Sequence, residues 1–81
     1  MKQVHIGDII LNEHVSERNP RRKSIVMYND NNFFTVIYFN GYLRSAARFE
    51  KNHVKNDPAF KIIGHVDINE FLMNAIKQCN E

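Results

Sequence analysis

The hydrophobic period of this chain changes once, at Asp67. Beyond it, Ile68, Phe71, Leu72, Ala75, Ile76 and Cys79 fall at i, i+3, i+4, i+7, i+8 and i+11, one face of an α-helix. Asp67 is placed to cap that helix, and Glu70 follows three residues later in a capping-box-like pair. The spacing predicts a helix over 67–79 with Phe71, Leu72 and Ile76 buried. Before Asp67 the apolar runs are short and rich in β-branched and aromatic residues, with turn-forming residues between them.

Those runs predict five strands. The first spans Val4 to Asn12, bent at Gly7. A polar loop from Glu13 to Arg22 follows, broken by Asn19-Pro20; its length exceeds that of most connections, which marks it as functional or mobile. Lys23 to Tyr28 is the second strand, Asn29 to Asn32 a turn, and Phe33 to Phe39 the third strand. Asn40-Gly41 suits a type I′ hairpin turn, so Tyr42 to Phe49 returns as the fourth. Tyr42, Ala46, Phe49 and His53 also keep helical spacing, which leaves a second helix over 42–53 as the alternative. After a polar stretch with a turn at Asn56-Asp57-Pro58, Phe60 to Val66 forms the fifth strand. A chain of 81 residues makes one domain, 1–81. Five strands and one helix predict a mostly β (α+β) fold. The expected form is a small SH3-like twisted sheet or barrel whose C-terminal helix plugs an open end or covers one face.

A two-residue turn at Asn40-Gly41 pairs Phe39 with Tyr42, Ile37 with Arg44, Thr35 with Ala46 and Phe33 with Arg48. These side chains share one face. Phe34, Val36 and Tyr38 share the other with Leu43, Ser45 and Ala47, which is smaller and uncharged and is expected to point inward. The first face interleaves aromatic rings with guanidinium groups, a combination suited to protein interfaces and to phosphate or carboxylate recognition. Phe33, Phe39, Tyr42, Arg44 and Arg48 are therefore the candidate partner-binding residues. The competing structural role puts Phe33, Ile37 and Phe39 under the C-terminal helix, with Arg44 and Arg48 reaching past it to water.

Charge narrows the partner classes. The net charge is +2, but residues 18–61 hold nine basic side chains against three acidic ones, a net of +6, while 1–17 and 62–81 each carry −2. The densest run is Arg18, Arg21, Arg22 and Lys23, the candidate nucleic-acid contact, because backbone phosphates attract such a run. The same residues also suit an ordinary solvated surface. Little points to catalysis. The four histidines lack zinc-site spacing, although His14 with Glu13 and Glu17 forms a conceivable loop cluster. Cys79 lies on the apolar stripe of the helix, Ser24 and Ser45 have no evident base, and Gly7, Gly41 and Gly64 are too scattered for a phosphate loop. No cofactor and no metal are expected. One cysteine permits no internal disulfide. Polar Lys2, Gln3 and His5 precede no apolar run of signal or membrane length. The expected location is the cytoplasm.

Two resemblances add to this reading. Ile6-Gly7-Asp8-Ile9-Ile10 followed by Asn19-Pro20-Arg21-Arg22 resembles the opening of toxin-type endoribonucleases with an SH3-like barrel. Those enzymes are longer, and their downstream acid and hydroxyl pattern has no counterpart here, so their activity is not carried over. The Gly-Asp-Ile opening, the Asn-Pro-basic loop and the hairpin, with Asp57-Pro58-Ala59-Phe60, Gly64-His65-Val66-Asp67 and the closing helix, are similar to small proteins of Gram-positive phages and mobile elements. That likeness implies an accessory protein acting by binding, including as an anti-CRISPR-type inhibitor of a host defence nuclease. Its implied partner is a host or phage protein. A small nucleic-acid binder is the second expectation, and an enzyme such as a small ribonuclease the third.

Overall fold

The computed structural model describes residues 3–38 and 46–80, without the side chains of 75, 76 and 78–80. Five strands, β1 (Asp8–Asn12), β2 (Lys23–Asn29), β3 (Phe33–Tyr38), β4 (Ala46–Glu50) and β5 (Phe60–His65), form one antiparallel sheet in the order β4-β3-β2-β1-β5. Helix α1 (Lys51–Val54) joins β4 to β5, and α2 (Ile68–Asn80) follows β5. The mostly β, α+β expectation stands.

The first strand begins at Asp8 rather than Val4 because the backbone turns at Gly7. Its φ is 95°, and a β-carbon there would collide with the Val66 carbonyl oxygen, so only glycine fits. Gly7 donates to the Val26 carbonyl (2.8 Å) and accepts from the Val66 amide (2.9 Å). The preceding segment is still anchored. Val4 is buried, and its carbonyl accepts from the Asn29 side-chain amide at 2.8 Å.

Alternation along each strand puts the core on one face. Val4, Ile10, Val26, Phe34, Val36 and Val54 pack together, with Tyr38, Ala47, Phe49, Phe60 and Ile62 against them. Phe34 and Val36 point inward as expected. Ile25, one residue before Val26, faces the opposite side and is also buried, flanked in register by Ile9 and Ile37.

The β3–β4 register differs from the expected one by two residues. Thr35 pairs with Arg48 rather than Ala46, Phe33 with Glu50 rather than Arg48, and Ile37 with Ala46 rather than Arg44. The two-residue shift preserves side-chain faces, since sheet alternation has a period of two. Core packing accounts for it. The observed register sets Phe49 opposite Phe34, with ring centroids 5.5 Å apart, and Phe49 also meets Phe60 edge-on at 5.6 Å; the expected register would have spent that position on Ala47. The Asn40-Gly41 turn, the Phe39–Tyr42 pair and Arg44 lie outside the described residues.

Two further corrections concern helices. The polar stretch after β4 is not all loop. Lys51–Val54 forms a single helical turn that drops Val54 into the core. Of the alternative second helix over 42–53, residues 46–50 are strand and 51–53 fall in this turn, while 42–45 lie outside the described residues. Helix α2 begins where the sequence puts it, with the Asp67 carboxylate accepting from the amides of Asn69 (2.9 Å) and Glu70 (3.1 Å). Phe71 and Leu72, however, are half-buried rather than buried. Among the described residues the core takes no side chain from α2; the sheet builds it with the N-terminal segment and α1. The side chains of Ile76 and Cys79 lie outside the described residues.

Candidate functional site

Arg48 is exposed on β4, on the face opposite the core, and its guanidinium lies 3.9 Å above the centroid of the Phe33 ring. The register brings them together. Arg48 pairs with Thr35, the next β3 residue on Phe33's own face, so its side chain lies diagonally across from the ring. At an exposed site such a stack contributes about 0.5–1 kcal/mol. A guanidinium held this way sits on an apolar base, a setting in which arginine recognises carboxylates and phosphates well. Phe33 is half-buried. Of the five residues expected to bind a partner, Phe33 and Arg48 are joined in this way; Phe39, Tyr42 and Arg44 lie outside the described residues.

The basic loop is more ordered than its composition implies. Asn19 caps a 3₁₀ turn over Pro20–Arg22, its side chain accepting from the Arg21 amide at 2.9 Å and its carbonyl from the Arg22 amide at 3.0 Å. Pro20 starts this turn, where its fixed φ and missing N–H cost nothing. The turn splays its arginines. Arg21 is exposed and lies 5.7 Å from the Tyr38 ring centroid. Arg22 is half-buried, and its guanidinium donates to the Val15 carbonyl at 2.6 Å. Arg18 and Lys23 are exposed. Arg18, Arg21 and Lys23 thus reach solvent, whereas Arg22 is spent on holding the loop.

The carboxylates are engaged elsewhere. Asp8, almost buried, takes His65 Nδ1 at 2.9 Å and the His5 amide at 2.8 Å, with His5 Nδ1 at 3.8 Å. Asp57 accepts from His14 Nε2 at 2.8 Å, Glu50 faces His53 at 3.4 Å, and Glu13 pairs with Lys61. The His14 hydrogen bond, then the Ala59 amide, holds the Asp57 carboxyl below its ordinary value; Lys61 does the same for Glu13. The amides of Phe33 and Asn32 lower Asp30, with smaller help from Arg48 and Lys51. These ion pairs use histidines and Lys61, and among the described residues no arginine pairs with a carboxylate.

Sequence reasoning missed these pairings. His14 does not cluster with Glu13 and Glu17; it pairs with Asp57, 43 residues away. The Asp8–His65 contact spans 57 residues. No local spacing signals either, because both follow from β1 lying beside β5. Between them runs an open groove of about 1000 Å³ lined by His5, Asp8, Lys55, Asp57, Phe60 and Lys61, among others. No group of three or more potential metal-ligating side chains converges among the described residues. Among the described residues no helix is long and apolar enough to cross a membrane.

The class these features define is a small antiparallel-sheet domain whose exposed arginines form no ion pair among the described residues. Comparison of the chain with family models, with curated proteins and with solved structures gave no match.

Proposed function

We propose that this chain is a non-enzymatic protein-binding module whose partner presents an acidic surface. One observation carries the reading: among the described residues Arg18, Arg21, Arg22 and Arg48 form no ion pair with a carboxylate, although the chain has nine acidic residues. Among the described residues Asp8, Glu13, Asp30, Glu50, Asp57 and Asp67 are taken up by histidines, Lys61 and backbone amides. The exposed arginines are left to answer charge on another molecule. Phe33 beneath Arg48 supplies the flat apolar contact typical of interface anchors, and the strand alternation of the sequence adds Phe39, Tyr42 and Arg44 as further candidates for the partner. The strand order, with a short helix between β4 and β5, supports assigning the sheet to the SH3-like type. The likeness to phage and mobile-element proteins supports a narrower reading, an inhibitor of a host defence nuclease. The test is affinity capture from a bacterial lysate, with and without nuclease treatment, using the parent and Arg48→Glu. A captured protein that survives nuclease and is lost with Arg48→Glu supports the reading. Capture that is indifferent to Arg48→Glu removes this surface from it.

The second reading is nucleic-acid binding through Arg18, Arg21, Arg22 and Lys23. The observation favouring it is the exposure of Arg18, Arg21 and Lys23 on one short stretch, with the Tyr38 ring beside Arg21. Phosphate contacts would make affinity fall steeply with salt. Absence of binding to DNA or RNA at low salt would eliminate it.

A further inference from the structure

A second surface lies on the other side of the sheet from the core, where the long loop meets the β1–β5 pair. The register shifts there between Ile9 and Ile10: Ile10 pairs with Ile62, Ile9 with Gly64, and Ile63 is left as the unpaired bulge residue. A bulged residue is turned out of the ladder, and Ile63 is 48% exposed. Gly64 adds no side chain over Ile9, since a β-carbon there would come within 3.3 Å of the Ile9 Cδ1. The two isoleucines form the apolar part of a groove of about 500 Å³, walled by Pro20 and rimmed by Arg18, Arg22 and Lys23, with Glu17 its one acid. The loop carrying that rim is held in place by its own bonds, Val15 amide to Asn12 carbonyl, Asn19 amide to Ser16 carbonyl and Arg22 to Val15. A rim ordered before binding loses little freedom when a ligand arrives.

We infer that this groove docks an extended acidic peptide segment of a partner protein, with one apolar side chain seated on Ile9 and Ile63 and its carboxylates on Arg18 and Lys23. The charge of the rim selects the carboxylates, because none of its cations has an ion-pair partner among the described residues. The lining selects peptide over nucleic acid. No aromatic ring lines the groove, so bases would find nothing to stack on, whereas an aliphatic floor fits an aliphatic anchor. The neighbouring strand β5 ends the sheet order, and an edge strand gives an extended chain backbone groups to meet. The inference rests on the protein-binding reading and gives it a groove and a ligand chemistry distinct from the Arg48 surface.

The test is selection of a random linear peptide library on the immobilised full-length chain, followed by affinity measurement of the enriched peptides. The expected result is peptides with Asp or Glu on both sides of one aliphatic residue. Their affinity should fall about tenfold or more with Ile63→Gln, with Arg18→Glu and with Lys23→Glu, and hold with Lys77→Glu on α2. Thermal unfolding of each variant identifies folded proteins, and exposed Lys23 and Arg18 keep the test decisive should Ile63→Gln unfold. No enrichment, or enrichment without acidic residues, overturns the inference. Acidic peptides lost with Arg48→Glu but retained by the groove variants overturn it too, and leave the protein-binding reading standing. A poly-uridine oligonucleotide that displaces the peptides and depends on Arg18 and Lys23 but not on Ile63 overturns both.

Discussion

Phe34 carries more of this fold than any described side chain of the C-terminal helix. It is 0% exposed and meets Phe49 across the β3–β4 ladder. Phe34→Ala should cost about 3–5 kcal/mol, a large share of what a domain this small has to lose. Phe71 is half-buried, and the described core excludes it, so Phe71→Ala should cost clearly less. Urea unfolding of the two variants checks the order, and equal losses would refute it. A second prediction concerns acid. The Asp57 carboxyl is held below its ordinary value of 3.8, chiefly by His14. A depressed folded pKa means stabilisation that is present above the unfolded value and is lost as pH falls through the folded one. Glu13 and Asp30 are shifted the same way. Stability should therefore begin to decline as pH drops below about 4.5, where Glu13 takes up protons first in the unfolded chain, and fall further below 3.8. Asp57→Asn should be less stable than the parent at neutral pH and lose less across that acid window. Unfolding free energies measured over a pH series test this, and parallel profiles would contradict it.

At the scale of elements, Asp67 gives the cleanest prediction. Its carboxylate satisfies two free amides at the start of α2. Asp67→Ala should cost about 1 kcal/mol and lower helix content by circular dichroism, while the sheet signal persists. Loss of the whole fold would show that α2 supports the core after all. The helix start was legible because capping and the 3.6-residue period are local signals. The turn at Asp30 was legible for the same reason, its side chain accepting from the Asn32 and Phe33 amides at 2.8 Å. The inward placement of Phe34 and Val36 followed from alternation alone. The β3–β4 register was not legible. It depends on Phe49 finding Phe34 and Phe60, contacts that exist only once three strands are assembled. The depth of α2 was also misjudged, since an apolar stripe states what a helix face prefers and not whether the rest of the chain already fills the core. Of the candidate surface, the alliance of Phe33 with Arg48 could be read from the strand faces. The bulge that turns Ile63 outward could not, because it arises between strands far apart in sequence.

Across the whole molecule, charge is partitioned by use. Six of the described carboxylates, Asp8, Glu13, Asp30, Glu50, Asp57 and Asp67, bind histidines, amides or Lys61, and the exposed arginines form no ion pair among the described residues. A complex built on them should form more slowly as salt rises, with Arg48→Glu lowering the association rate more than it raises dissociation. Stopped-flow binding to the captured partner at two salt concentrations checks this; a rate unmoved by salt would contradict it. The strand order has a different consequence, in time rather than energy. β1 sits between β2 and β5, and its pairing with β5 joins Asp8 to His65 and Asn12 to Phe60. A ribosome delivers β1 before the other four strands and β5 after them. While the chain is being made, the β2–β3–β4 meander can assemble on one flank of β1, but the other flank keeps a row of unanswered amides and carbonyls until β5 emerges. Such long-range closure is slow and leaves an open edge exposed to other chains. The nascent domain should therefore need its fifth strand before it becomes safe from aggregation, and a ribosome stalled before Phe60 would hold a sheet with a vacant place at its side.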